Sequence, residues 1–333
     1  MLNIQKDVKL SDHSTFKIGG PAKEFVVVKS EKELIKVLSY VNENKMNFFI
    51  LGGGSNILFD DRGFDGIVIK IGGVNRGIKI MSEDEVPEGS AYVDSGKIRI
   101  KCWAGEPLFN LVNFARDNGI TGMEWAVGIL GTVGGAISGN AGAFGGCISD
   151  FIESVRTFKI LNFPFPSENK AFSYSVKKCN FGYRSSIFKT KDNLIVLSAK
   201  FNFQKGNKEE IELKMRDFVQ KRLSKQPKNW YGCAGSFFKN PIVRNDELRR
   251  RFEIETGSKS IGGRIPAGWI IEHLGFKGKK MGNVMVSDVN ANFLINTGGA
   301  TAEEVIMAAG IIKQRAKMNL EIQLKEEVKY ISY

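Results

Sequence analysis

The sequence predicts a mixed chain of α/β and α+β character, divided into two or three domains. Three observations carry this. The first seventy residues alternate strand-type and helix-type periodicity around a glycine-rich loop. The stretch that follows, to about residue 203, turns to strand patterning broken by one helix. The remainder returns to long amphipathic helices and closes on an alternating segment. A chain of 333 residues has room for two or three cores at roughly 100–200 residues per domain. A hydrophobic fraction of 42% and a charged fraction of 25% are ordinary for a globular protein.

Residues 25–28 form a short apolar run that reads as a strand. Ser30 follows, with Glu33 three positions on, the pattern of a capping box. Leu34, Val37, Leu38 and Val41 then recur at helical spacing, and the helix should stop near Asn44. Residues 48–51 and 66–70 are the next strands. Residues 98–103, 151–160 and 194–203 read as strands of the middle region. A helix interrupts them, with Pro107 expected at its first position, Leu108, Leu111, Val112 and Ala115 on its apolar face, and Gly119 as its stop. Residues 81–94 are polar, contain Pro87 and Gly89, and read as a surface insertion. A helix is expected over residues 208–225, with Ile211, Met215, Phe218, Val219 and Arg222 on or beside one face and Pro227 ending it. Thr301 and Glu304 form a second capping box, and residues 322–331 read as a closing strand.

No apolar run reaches the roughly 18 residues a membrane helix needs. The first ten residues have no apolar signal core, so a cytoplasmic protein is expected. Cys102, Cys147, Cys179 and Cys233 are scattered and read as reduced thiols. With His13 and His273 as the two histidines, no metal site is expected. A formal net charge of +12 favours anionic partners. Charge alone leaves open a nucleic acid, a diphosphate cofactor with a nucleotide substrate, or a solvated lysine-rich surface.

Two glycine-rich loops narrow the choice. Residues 50–56 read I-L-G-G-G-S-N, a strand feeding Gly52, Gly53 and Gly54 and then Ser55 and Asn56. Successive N–H groups in such a turn can cradle an anion, although an ordinary hairpin turn has the same composition. Residues 128–146 carry a second, denser run, with Gly128, Gly131, Gly134, Gly135, Gly139 and Gly142 among its glycines. Each interior glycine costs roughly 0.5–1 kcal/mol relative to alanine, so the backbone is expected to lie against something. Two such loops could clamp the ends of a dinucleotide. Neither the G-x-G-x-x-G fingerprint before a helix nor the P-loop pattern is present. The pattern points toward a flavin held by loops, with no separate nicotinamide pocket.

Several segments, in order, then resemble one family. They are T-F-K-I-G-G-P-A at residues 15–22, L-G-G-G-S-N at 51–56, G-N-A-G-A at 139–143, F-G-Y-R-S-S-I-F at 181–188, A-G-S-F-F-K-N-P at 234–241 and A-G-W-I-I-E-H-L-G-F-K-G at 267–278. Together they resemble the UDP-N-acetylenolpyruvoylglucosamine reductases, over residues 13–328. The resemblance implies a two-part FAD-binding domain of the vanillyl-alcohol-oxidase type. Residues 1–70 would form its first part, with the C-terminal strand at 322–333 returning near it, and residues 71–205 its second. Residues 206–321 would form an α/β substrate-binding domain. About fifty residues separate Arg184 from Ser236, which fits the shorter subtype that lacks a tyrosine-bearing loop.

The resemblance also implies NADPH-dependent, FAD-mediated reduction of UDP-N-acetylglucosamine enolpyruvate, with FAD held non-covalently and the UDP-sugar and NADPH as the molecules bound. A monomer is expected, with no nucleic-acid or membrane partner. Arg184 matches the family's catalytic arginine, Ser236 its serine acid and Glu327 its C-terminal glutamate. Alternation alone does not choose between Glu326 and Glu327, and the match to the family favours Glu327. Gly52, Gly53, Gly54, Ser55, Asn56, Gly128, Thr132, Gly134, Gly135, Ser138, Gly139, Asn140, Ala141 and Gly142 are the expected cofactor contacts. Tyr183, Lys225 and Asn240 are the expected substrate contacts, with Lys221 and Arg222 as charged alternatives to Lys225. Leu130, Phe144, Cys233 and Asn290 depart from the family's usual proline, tyrosine, serine and histidine. Other readings are a different flavoenzyme of the same fold acting on an alcohol or sugar lactone, an inactive flavin-binding relative, and a basic nucleic-acid-binding protein.

Overall fold

The computed structural model describes residues 2–72, 77–82, 97–160, 171–227 and 231–333. By compactness these fall into two units, each drawn from separate stretches of chain. The first is Met1–Lys6, Glu24–Gly53 and Gly66–Arg222, and the second is Asp7–Lys23, Gly54–Asp65 and Leu223–Tyr333.

The first unit begins as expected. The helix Glu31–Glu43 starts where the Ser30 hydroxyl accepts the Glu33 N–H at 3.2 Å and the Glu33 carboxylate accepts the Lys29 N–H at 2.7 Å. Leu34, Val37, Leu38 and Val41 are buried on its inner stripe. The strand Phe48–Leu51 pairs in parallel with Phe64–Ile71. The sheet order is Gln5–Lys9, Pro21–Val28, Phe64–Ile71 and Phe48–Leu51.

A second sheet has the order Ala171–Ser175, Ile152–Lys159, Leu194–Lys205, Lys97–Trp103 and Ile78–Ile80, all antiparallel. Ile100, Cys102, Val155, Phe158, Phe201 and Phe203 fill its inner side. Residues 194–199 are continuously buried, the mark of a strand covered on both faces. The helix Leu108–Asp117 departs slightly from expectation. Pro107 has ψ 134° and caps the helix from outside, because it is held in a bridge to Thr132. Met81 is buried and donates its N–H to the Arg99 carbonyl at 2.9 Å, so the expected surface insertion does not begin there. Its residues 83–94 lie outside the described residues. The helix Lys208–Leu223 ends before Lys225 and short of Pro227, with Ile211 and Met215 buried and Phe218, Val219 and Arg222 partly so.

In the second unit the antiparallel strands Lys280–Met281, Val284–Val286 and Leu294–Asn296 lie with the helices Asp246–Thr256, Ala267–His273 and Ala302–Leu320. Phe237, Phe238, Ile270, Val284, Ala308 and Ile312 are in its core. The closing segment differs from expectation. Ile322 and Leu324 alternate inward, yet only Lys329–Ile331 forms a strand, parallel to Ile57–Phe59. Residues 325–327 bond instead to the segment that carries Ser236: the Lys239 N–H donates to the Lys325 carbonyl at 2.9 Å and the Glu327 N–H to the Phe237 carbonyl at 2.8 Å.

All four cysteines are free. Burial pushes the Cys179 thiol up to about 11 and the Cys102 thiol higher still, so both are poor nucleophiles. Among the described residues no helix is long and apolar enough to cross a membrane.

The Thr301 hydroxyl accepts the Glu304 N–H at 3.1 Å, and the Glu304 carboxylate accepts the Thr301 N–H at 3.0 Å. Thr301→Ala is therefore expected to lower the unfolding free energy by about 1 kcal/mol, with Thr301→Ser retaining most of it, as read from urea denaturation.

Candidate active site

The two glycine-rich loops of the first unit touch each other. A Cβ on Gly53 would stand 2.6 Å from the Gly131 Cα, and one on Gly52 would stand 2.8 Å from the Thr132 Oγ1. The main chains approach too closely for any side chain to fit. Thr132 then caps the short helix Val133–Gly139, its hydroxyl accepting the Gly135 N–H at 3.3 Å. Gly134 is packed on Ala104, and its N–H donates to the Ala104 carbonyl at 2.7 Å. Gly128 lies against the Arg222 side chain. Close packing inside the unit thus accounts for Gly52, Gly53, Gly128 and Gly134. Gly139 is different: outside its own helix, no heavy atom of the described residues lies within 4 Å of where its Cβ would be, and Gly135 meets only the Thr132 hydroxyl among them, at 3.4 Å. The side of the 132–142 loop at Gly135 and Gly139 is therefore open to a bound group.

The same loop holds Arg184 by several ties. Asn140 ends the helix in the left-handed conformation and donates from Nδ2 to the Gly182 carbonyl at 2.9 Å. The Ala141 N–H reaches back to the Ala136 carbonyl at 2.8 Å. The Ser186 hydroxyl donates to the Ser138 carbonyl at 2.7 Å. Tyr183 and Arg184 form a two-residue turn closed by reciprocal bonds between Gly182 and Ser185 at 3.0 and 3.1 Å. Arg184 takes φ 53°, a conformation that costs an L-residue roughly 1–2 kcal/mol. Its guanidinium donates to the Gly142 carbonyl at 2.5 Å and lies over the Tyr183 ring, 5.4 Å from the centroid.

In the second unit Gly54 has φ +66°, and a Cβ there would collide with the His13 carbonyl oxygen. Its own carbonyl accepts the Thr15 N–H at 3.1 Å, which ties the T-F-K-I-G-G segment to the loop. Ser55 follows, half-buried. Asn56 donates from Nδ2 to the Glu327 carbonyl at 3.1 Å, and its own carbonyl accepts the Lys329 N–H at 3.0 Å. Its amide thus holds the main chain at Glu327.

The segment with Ser236 runs antiparallel to residues 325–327, in a bridge centred on Phe238 and Glu326. That register sets the exposed Ser236 and the half-buried Glu327 on adjoining segments. The neighbouring Glu326 carboxylate is already paired with the Lys313 ammonium at 2.6 Å. Asn292, which the sequence reading did not single out, fixes the serine segment. It accepts the Phe238 N–H at 2.9 Å, donates to the Phe238 carbonyl at 2.8 Å, and accepts the Phe237 N–H on its own carbonyl at 2.7 Å. Asn292 is buried, and the sequence signal available for it was an asparagine directly before the apolar run of Phe293, Leu294 and Ile295. Asn240 accepts the Ala267 N–H at 3.0 Å and so holds the start of the helix Ala267–His273. Lys225 is exposed, and its carbonyl takes a bond from Asn290 at 3.4 Å.

A fold of this kind, with paired glycine-rich loops, belongs to the FAD-binding proteins: residues 22–160 match the family described as FAD binding domain. Residues 226–331 match the C-terminal domain of UDP-N-acetylenolpyruvoylglucosamine reductase. The reductase of that name from Syntrophomonas wolfei is 34% identical over 98% of this chain and 95% of its own length. That from Carboxydothermus hydrogenoformans is 35% identical over 98% and 94%. The crystal structure of the Thermus caldophilus reductase superposes with a TM-score of 0.71 at 28% identity and covers 99% of both chains. The chain belongs to the UDP-N-acetylenolpyruvoylglucosamine reductase family.

Two glycines test the loop reading. Gly53→Ala should destabilise the flavin-free protein by roughly 1–3 kcal/mol, because the added methyl overlaps a main chain. Gly139→Ala, whose methyl meets no atom of the described residues outside its own helix, should leave the melting temperature unchanged or raised but weaken FAD retention, read as the flavin-to-protein absorbance ratio after gel filtration.

Proposed function

We propose that the chain reduces UDP-N-acetylglucosamine enolpyruvate to UDP-N-acetylmuramate with NADPH, as a step of peptidoglycan synthesis, and that it acts as a cytoplasmic monomer. The observation that carries the reading is family membership over 98% of the chain together with the built cradle around Arg184. FAD, when bound, would supply the hydride-transfer chemistry that links NADPH to the terminal vinyl carbon of the enolpyruvyl ether. With this goes a division of labour in which residues 1–70 and 71–205 hold the flavin and residues 206–321 cover the substrate.

The loops around Gly52–Gly54, Ser55 and Asn56, and Gly128 with residues 132–142, would hold the cofactor; the open face at Gly135 and Gly139 supports this. Arg184 is assigned to the substrate carboxylate. Hydride addition puts negative charge on the carbon beside that carboxylate, and a planar, permanently charged guanidinium stabilises the added charge. The left-handed turn and the bond to Gly142 mean that Arg184 need not be ordered when the substrate arrives. Ser236 is assigned the proton donor that completes the lactyl ether. A hydroxyl serves as an acid here because the carbanion is strongly basic and the donor is held at short range. Glu327 is assigned to the carboxylate side on its match to the family, while the Glu326 carboxylate is paired with the Lys313 ammonium. Tyr183, Lys225 and Asn240 are assigned to the sugar nucleotide. For Asn240 the role rests on family resemblance, since its Oδ1 already serves the helix at Ala267.

Anaerobic titration tests the activity. NADPH should bleach the visible flavin band, and the enolpyruvyl sugar nucleotide should restore it. Bleaching without recovery means that another oxidant is the substrate. Ser236→Ala should slow substrate-dependent recovery by about 10²–10⁴-fold while bleaching by NADPH proceeds at the wild-type rate. Wild-type recovery in that variant removes Ser236 from the acid role.

A further inference from the structure

The first unit contains an aromatic stack that the reading above does not use. The strands Gly142–Ala143 and Gly146–Cys147 form a small hairpin, and its turn carries Phe144 at φ 51° and Gly145 at φ 89°. A phenylalanine rarely takes that conformation, and this ring is 40% exposed. Two side chains one turn apart on the helix Lys208–Leu223 hold it. Phe144 stacks on Phe218 with centroids 4.8 Å apart and planes 16° from parallel. The Arg222 guanidinium lies over the Phe144 ring, 5.0 Å from the centroid. Arg222 is fixed in turn, donating to the Trp125 carbonyl at 2.9 Å and packing on Gly128. Its Nε is buried and has no hydrogen-bond partner among the described residues, and burial lowers the cation's proton affinity below that of an ordinary arginine. The guanidinium is thus fixed over the ring by its own contacts.

Phe144 lies two residues beyond Gly142, whose carbonyl accepts the Arg184 guanidinium. We propose that Phe144, clamped between Phe218 and Arg222, is a positioning residue: it latches the hairpin so that the Gly142 carbonyl stays where it aims Arg184. The inference rests on the role proposed for Arg184. It also accounts for the departure from tyrosine, because a clamp needs the ring face and not the hydroxyl.

The test compares wild type with Phe144→Ala, Phe144→Leu and Phe144→Tyr by anaerobic stopped flow. Recovery of the wild-type flavin band comes first, and its absence sinks the proposed function rather than the latch. The expected result is about a tenfold loss in the maximal rate of substrate-dependent recovery for the alanine and leucine variants, with flavin reduction by NADPH unaffected. The tyrosine variant should restore most of the rate. In an Arg184→Lys background Phe144→Ala should add nothing, because both act through one group. Independently of activity, hydrogen exchange across residues 180–186 should quicken by about tenfold in Phe144→Ala. Wild-type recovery rates, equal losses in both half-reactions, additivity with Arg184→Lys, or unchanged exchange in that segment would each overturn the latch. The leucine variant keeps the apolar bulk, so it provides the reading if the alanine variant does not fold.

Discussion

The contact of the Gly53 main chain with that of Gly131 constrains much of the first unit. It fixes where the strand Phe48–Leu51 delivers its loop and where Thr132 begins the helix Val133–Gly139. The end of that helix sets Asn140, which holds the turn at Gly182, and the hairpin that follows offers the Gly142 carbonyl to Arg184. A side chain at residue 53 would disturb every later link. The strain in the turn at Arg184 is tolerable because hydrogen bonds from both sides over-determine it.

The second unit reaches a comparable end by other means. A buried amide, Asn292, takes up both polar groups of the Phe238 main chain, and a second amide, Asn56, takes the Glu327 carbonyl. These side chains stand in for the ladder that an irregular segment lacks. Ser236 and Glu327 can then sit on non-repetitive chain, where side-chain direction is not dictated by strand alternation, and yet be held in register.

Much of this was legible beforehand, where local chemistry decides the outcome. The caps at Ser30 and Thr301, the inner stripe of the helix Glu31–Glu43 and the strand Phe48–Leu51 follow from spacing and hydroxyl positions alone. The density of glycine signalled close approach, but the sequence did not say to what. At Gly53 the neighbour is another loop of the chain, and at Gly139 no described residue outside its own helix comes near. Pairing partners at long range were illegible for the same reason. The alternation of residues 322–331 reads as a strand, whereas the hydrogen bonds of residues 325–327 go to a segment some ninety residues earlier. Family resemblance supplied the site residues that spacing could not. It did not supply Asn292 or the stack at Phe144, whose roles exist only once distant segments meet.

The interleaving of the two units bears on the order in which the chain can fold as it is made. Segments Asp7–Lys23 and Gly54–Asp65 emerge from the ribosome early, but they belong with Leu223–Tyr333. The first unit is complete in sequence once Arg222 is out, whereas these two segments still lack the later stretch with which they are grouped. The strand Ile57–Phe59 must wait for its partner Lys329–Ile331, which lies about 270 residues further along the chain. Phe16, Ile18, Leu58 and Phe59 are all buried in the finished fold. Pairing over such a separation is a costly, late step of folding, and apolar chain left uncovered before it is an aggregation hazard.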